Sequence, residues 1–269
     1  MSDKNSSDIL IVEKKEEGIL YLTMNNPQNR NALSESLMNM LTIAINQASI
    51  DQDTKVIIIS AHGPVFCAGH DLKEMSAARD SNDDGRHYFI KLFDICSVLM
   101  KAIVNCHKPV IAEINGTATA AGCQLVASCD LAIASNSSKF ATPGVNLGLF
   151  CSTPMVALSR NVKNKNAMEM LLTGDFIDAV KAKEIGLINR SVSDEQVQNE
   201  TLNLAKKISS KSSMTVAIGK EAFYKQLELD LSAAYNYTSQ VMADNMLQED
   251  AKEGINAFIE KRAPEWKNK

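Results

Sequence analysis

The sequence is short of the features that mark several large classes of protein, and each shortage closes one of them. Its six cysteines, Cys67, Cys96, Cys106, Cys123, Cys129 and Cys151, form no CxxC pair, and its four histidines form no cluster, so no zinc site is expected. Most of these cysteines lie in apolar runs, where a free thiol behaves as a small hydrophobe, and reduced core residues are expected rather than disulfides. No apolar run approaches the roughly 20 residues of a membrane-spanning helix, so no membrane partner is expected. Nucleic acid is not expected either: 28 Lys and Arg are scattered among 32 Asp and Glu, for a net charge of −4, with no basic block. Met1 to Asp8 carries neither an apolar signal core nor an Arg-rich transit pattern, and Trp266-Lys267-Asn268-Lys269 is no peroxisomal address. A cytoplasmic protein is the expectation.

What is present is a chain of 269 residues, 45% hydrophobic and 22% charged, enough for one large domain or one domain with a helical appendage. Ile9 to Val12 and Ile19 to Met24 read as a β-hairpin around the charged Glu13 to Gly18. Ser34 caps a helix whose Leu37, Leu41, Ile45 and Ala48 share one face. Val56 to Ile59 has no polar face and suits a strand buried on both sides, and Val110 to Ile114 and Leu131 to Ala134 also read as strands. Between them Phe89, Leu92, Cys96, Leu99 and Ile103 recur at helical spacing. Strand, turn, helix and strand at irregular spacing place the first two-thirds in the α/β class. After about residue 154 the pattern is helical, with Leu187 to Val192 as the one interrupting strand. The methionines of Met242 to Met246 are assigned to the core ahead of a subunit interface.

Small residues cluster where two strands end, in Phe66-Cys67-Ala68-Gly69-His70-Asp71-Leu72 and in Asn115-Gly116-Thr117-Ala118-Thr119-Ala120-Ala121-Gly122-Cys123-Gln124. Small side chains let backbone N–H groups approach a ligand, and a helix N-terminus adds partial positive charge. Two such loops facing each other could hold an anionic oxygen, although each alone reads as a tight turn. Further segments join them in order: Leu22 to Pro27 with Asn31-Ala32-Leu33, Phe140 to Pro143 with Asn146-Leu147-Gly148, Leu172-Thr173-Gly174, and Phe258 to Pro264. The whole resembles the crotonase (enoyl-CoA hydratase/isomerase) superfamily along nearly the full chain.

The resemblance implies a spiral core of ββα turns, residues 1–195, and a C-terminal helical region, 196–269, that mediates trimerisation, often as a dimer of trimers. It implies an acyl-CoA substrate, no cofactor beyond the CoA moiety itself, and a role in fatty acid metabolism. The thioester carbonyl is expected in an oxyanion hole of two backbone N–H groups, those of Ala68 and Ala121, the second where the family usually has glycine. The two glutamates with which the family's hydratases position water have no counterpart: Gln124 and Gly144 stand at those places. Glutamine takes no proton at neutral pH and glycine offers no side chain, so hydration and isomerisation are expected to be slow. Restoring both carboxylates, as Gln124→Glu with Gly144→Glu, is expected to raise hydration.

Other residues are weighed for the vacant roles. His70 could orient a substrate carboxylate or act as a base near neutral pH, or be a spacer in its loop. Asp71 reads as a helix cap, Asp130 as a structural anchor, and Cys151 as a wall of the acyl pocket. CoA contacts are expected from Arg30, Ala32, Ala68, Gly69, His70, Asp71 and Leu72, with Phe258 and Lys261 covering the nucleotide, often from a neighbouring subunit. Three activities fit: a hydratase-family enzyme that stabilises an enolate, a decarboxylase of malonyl-type thioesters, and an acyl-CoA-binding protein without catalysis.

Overall fold

A computed structural model describes residues 9–269, and the compartment reading of Met1 to Asp8 lies outside them. The chain begins with the antiparallel pair β1 (Leu10–Lys15) and β2 (Ile19–Met24), so the charged stretch lies partly within the first strand rather than all in the turn. Helix α1 (Glu35–Ile50) follows, its first turn capped by Ser34, whose side chain accepts the Leu37 N–H. Next come β3 (Val56–Ala61), β4 (Val65–Cys67), α2 (Leu72–Ala78), α3 (Arg86–Asn105), β5 (Val110–Ile114), β6 (Thr117–Thr119), α4 (Ala121–Ser128), β7 (Leu131–Ser135) and β8 (Lys139–Ala141). The remainder is α5 (Pro154–Asn161), α6 (Asn164–Thr173), β9 (Ile177–Asp178), α7 (Ala179–Glu184), β10 (Arg190–Val192), α8 (Val197–Ser209), α9 (Ser213–Gln226), α10 (Leu231–Met246) and α11 (Glu249–Glu260).

Among the described residues two sheets form, in strand order β1-β2-β3-β5-β7-β10 and β4-β6-β8-β9. In the larger one, strand side chains alternate between faces. Leu20, Leu22, Ile57, Ile59, Val110 and Ala112 join the main core, with residues of α1, α3 and α4. Ile19, Tyr21, Val56, Ile58 and Ile111 form a second cluster covered by Ala205, Leu202 and Ile208 of α8. Coverage on both faces is why the β3 sequence has no polar side. It also means that α8, although beyond residue 195, packs directly on the sheet.

Five elements escaped the sequence reading. β4, β6, β8 and β9 are three, three, three and two residues long, too short for alternation to register, and α5 is an eight-residue helix of mixed polarity. Two expectations about the helical part need correction. β9 interrupts it as well as β10. The methionines of α10 are not core: Met242 is 63% and Met246 47% exposed, and no residue of α10 is buried against the described residues. All six cysteines are buried and unpaired.

Glu113 carries a consequence for stability. On β5 it shares the face of Ile111, and its carboxylate accepts the Tyr21 hydroxyl at 3.1 Å. Burial pushes its carboxyl up to about 7, against a smaller downward pull from Tyr21. The unfolded chain releases this proton near the ordinary carboxylate value, so the contribution to stability is fully present below that value. It is lost as pH rises through about 7. The expected loss between pH 5 and 8 is on the order of 2–3 kcal/mol. Glu113→Gln should remove that part of the slope in urea unfolding series; parallel slopes for the two proteins would refute the assignment.

Candidate functional site

The smaller sheet assembles the site. β4, β6 and β8 run parallel, with Val65 beside Thr117 beside Lys139, and Thr119 beside Ala141. Their carboxyl ends therefore lie at one edge, where open parallel sheets place their ligands. Three connections leave from that edge: Ala68–Asp71, Ala120–Gln124 and Thr142–Gly144.

The first connection is stitched to the loop before α1. The Leu33 N–H donates to the Gly69 carbonyl at 2.7 Å, and the Ala68 N–H donates to the Arg30 carbonyl at 3.1 Å. That second bond corrects the expected oxyanion donor, since the Ala68 N–H is already used within the protein. The His70 N–H, two residues on, donates to nothing among the described residues. Asp71 is the cap of α2, its carboxylate accepting the Lys73 and Glu74 N–H groups at 2.8 and 3.4 Å.

The second connection enters α4. Helix bonding begins with the Gln124 N–H on the Ala120 carbonyl at 3.0 Å, so the Ala121 N–H, in the first turn, has no acceptor among the described residues. The conformational demand falls not on Ala121 but on Ala120, whose φ of 50° and ψ of −119° lie in a region alanine rarely adopts. Its N–H is held by the Ala141 carbonyl at 3.0 Å. α4 lies so close to β4 that a β-carbon on Gly122 would stand 2.2 Å from the Cys67 carbonyl oxygen. At Gly69 the φ of 92° favours glycine, and a β-carbon there would meet that of Ala120 at 3.0 Å. The unbonded N–H groups of His70 and Ala121 thus come from abutting loops.

The His70 ring meets the edge of Phe93 at 5.6 Å, and both ring nitrogens are buried without a hydrogen-bond partner among the described residues. Burial lowers its pKa, partly offset by the Leu33 backbone, so the ring is neutral at pH 7. The Thr142 hydroxyl, in the third connection, is likewise buried without a partner among the described residues. Gln124 is buried, and its Oε1 accepts from the Cys96 thiol at 3.8 Å. Gly144 leaves no room for a side chain: a β-carbon there would lie 2.6 Å from the Leu149 carbonyl oxygen and 2.8 Å from Cys151 Sγ. Burial raises the Cys151 thiol, opposed by the Gly144 N–H, which favours a wall over a nucleophile. Cys96 and Thr142 were missed by sequence reasoning, the former because it reads as one more apolar residue of the α3 stripe.

Arg30 and Ala32 lie beside this edge through the Arg30–Ala68 and Leu33–Gly69 bonds, and Leu72 opens α2 with its side chain exposed. Phe258 is 85% exposed and Lys261 ends α11 in a left-handed conformation. Asp130 is the anchor expected of it: its carboxylate accepts the Val110 N–H, the Lys220 ammonium and the Tyr224 hydroxyl at 2.7, 2.7 and 2.8 Å.

Comparison with known proteins adds the following. The profile of the family described as enoyl-CoA hydratase/isomerase matches residues 14–269. The chain is 53% identical over 253 residues to the enoyl-CoA hydratase domain-containing protein 3, mitochondrial, of Mus musculus, covering 94% of this chain and 83% of that one. It resembles the crystal structure of the human enoyl-CoA hydratase domain-containing protein 3 with a TM-score of 0.91 at 50% identity, over 96% of this chain and 100% of that one. For an enoyl-CoA hydratase of Mycobacterium smegmatis the TM-score is 0.92 at 47% identity, over 96% and 98%. The expectation of a cytoplasmic protein is overturned, because the mouse, rat, human, Xenopus laevis and Danio rerio relatives are all named as mitochondrial. A cellular address is read by a receptor, so the composition of a folded body places no physical constraint on it.

Proposed function

Because the chain belongs to the enoyl-CoA hydratase/isomerase family, we propose that it binds an acyl-CoA thioester with the carbonyl oxygen between the His70 and Ala121 N–H groups. The observation that carries this reading is that pair of unused donors on abutting loops at the carboxyl edge of a parallel sheet. Each donor aimed at a developing enolate oxygen is worth about 3 kcal/mol. The groups around it offer little acid–base help: Gln124 is an amide, Gly144 is bare and Asp71 caps α2. The chemistry favoured is stabilisation of an enolate with hydration suppressed.

A second reading, decarboxylation of a malonyl-type thioester, draws support from the buried, neutral His70 ring with both nitrogens unpartnered, since loss of CO₂ generates the enolate without a base. Binding without catalysis is the outcome to which both are opposed. A mass-spectrometric screen against enoyl-, malonyl-type and saturated acyl-CoAs separates the three. Turnover of one class names the reaction, and binding without turnover removes the enzyme. By the names of its relatives, the compartment proposed is the mitochondrion.

CoA recognition is assigned first to Arg30, whose exposed guanidinium stands on the loop bonded to Ala68. Arg30→Ala is expected to weaken CoA thioester binding by about 1–3 kcal/mol, the worth of a charge-assisted phosphate contact. Calorimetry showing unchanged affinity would remove the residue from the site.

The assembly proposed is a trimer or a dimer of trimers. Supporting it, Leu231, Tyr235, Met242 and Met246, at helical spacing on one face of α10, are exposed at 76, 68, 63 and 47%. An apolar face of that kind calls for a partner. Sedimentation is expected to give three or six chains; a monomer at all concentrations would overturn this.

A further inference from the structure

We propose that Cys96 is a positioning residue that fixes the Gln124 carboxamide, so that the site prefers acyl thioesters bearing an acceptor oxygen on the β-carbon, as in a 3-oxoacyl chain. The inference rests on the acyl-CoA reading and specifies the acyl group it takes. Gln124 stands three residues after Ala121 in α4, on the same helix face. Helical side chains lean toward the N-terminus, so the Gln124 side chain lies over the turn that carries the Ala121 N–H. A group reaching Gln124 from a carbonyl oxygen held at Ala121 is one or two carbons along the acyl chain.

The amide orientation is set by chemistry rather than by packing alone. A thiol donates better than sulfur accepts, so the amide oxygen is the favourable partner for Cys96, as found at 3.8 Å. Burial pushes the Cys96 thiol up to about 12, which keeps the donor hydrogen in place at every physiological pH. Cys129 shows the alternative that Cys96 does not take: its thiol donates one turn back along its own helix, to the Leu125 carbonyl at 3.3 Å. With Oε1 engaged, Gln124 Nε2 makes no hydrogen bond among the described residues and remains a pure donor. Donor geometry of this kind discriminates for an acceptor oxygen and gives a methylene nothing.

The test is calorimetric titration with acetoacetyl-CoA and with butyryl-CoA, equal in chain length and different at the β-carbon. The natural protein is expected to prefer acetoacetyl-CoA by about five- to tenfold, the worth of one hydrogen bond. Cys96→Val, which cannot donate, should lose most of that preference through weaker acetoacetyl-CoA binding, while Cys96→Ser should keep it. Should Cys96→Val fail to fold, Gln124→Met, of similar length and without the amide, must abolish the preference in the same titration. Equal affinities in the natural protein, or a preference undiminished in Cys96→Val or in Gln124→Met, would overturn the proposal while leaving acyl-CoA binding intact. Failure to bind either thioester would overturn the acyl-CoA reading and this proposal with it.

Discussion

Crotonyl-CoA is expected to be hydrated by the natural protein at least about 10²–10⁴-fold more slowly than by a hydratase with both glutamates, since each missing proton-transfer group forfeits about that factor. Putting the carboxylates back as Gln124→Glu with Gly144→Glu is not expected to repair this, against what the sequence alone suggested. Gln124→Glu is nearly isosteric and should fold, although burial opposes its charge. Gly144→Glu must place its β-carbon 2.6 Å from the Leu149 carbonyl oxygen and 2.8 Å from Cys151 Sγ. Removing the sulfur, as in Cys151→Gly, relieves one of these contacts and leaves the backbone carbonyl. The double variant is therefore expected to lose about 1–3 kcal/mol or more to overpacking and to gain no hydration, because its second carboxylate cannot reach the place a water would need. Initial-rate assays beside thermal unfolding decide the matter. A double variant that melts with the natural protein and hydrates crotonyl-CoA faster would show that the loop around Gly144 yields.

The largest expected stability effect lies away from the site. The Lys220 ammonium, on α9, donates to Asp130 and to the Ile103 and Lys108 carbonyls at 2.7, 3.0 and 3.0 Å, and the side chains of the pair are 7% and 15% exposed. Lys220→Met leaves the Asp130 carboxylate buried with its cation gone and strips two carbonyls of their donor. A loss of about 3–5 kcal/mol is expected in urea unfolding. Replacing both partners, as Asp130→Leu with Lys220→Met, should recover part of that loss, because no uncompensated charge remains. A single variant within about 0.5 kcal/mol of the natural protein would mean that α9 does not depend on this anchor.

The sequence by itself determined the fold class and the order of the long elements, which rest on periodicity and on caps such as Ser34 and Asp71, all of them local and therefore legible. It determined the family through its resemblance, motif by motif and in order, to the crotonase superfamily. The same resemblance marks what the site lacks, since Gln124 and Gly144 stand where it implies glutamates, and that is visible without coordinates. Tertiary structure decided which backbone donors are free. Whether Ala68 or His70 offers its N–H depends on where the Arg30 carbonyl lies, 38 residues upstream of Ala68, and no local pattern encodes that. It likewise decided that Ala120, not Ala121, bears the unusual backbone angles, and that the space beside Gly144 is filled by Leu149 and Cys151. The methionines of α10 were misread for the same reason: an apolar residue has the same chemistry in a core and on a face awaiting a partner, and only packing separates the two. Composition fixes what a side chain can do, whereas the distances between segments far apart in the chain fix whether it does so.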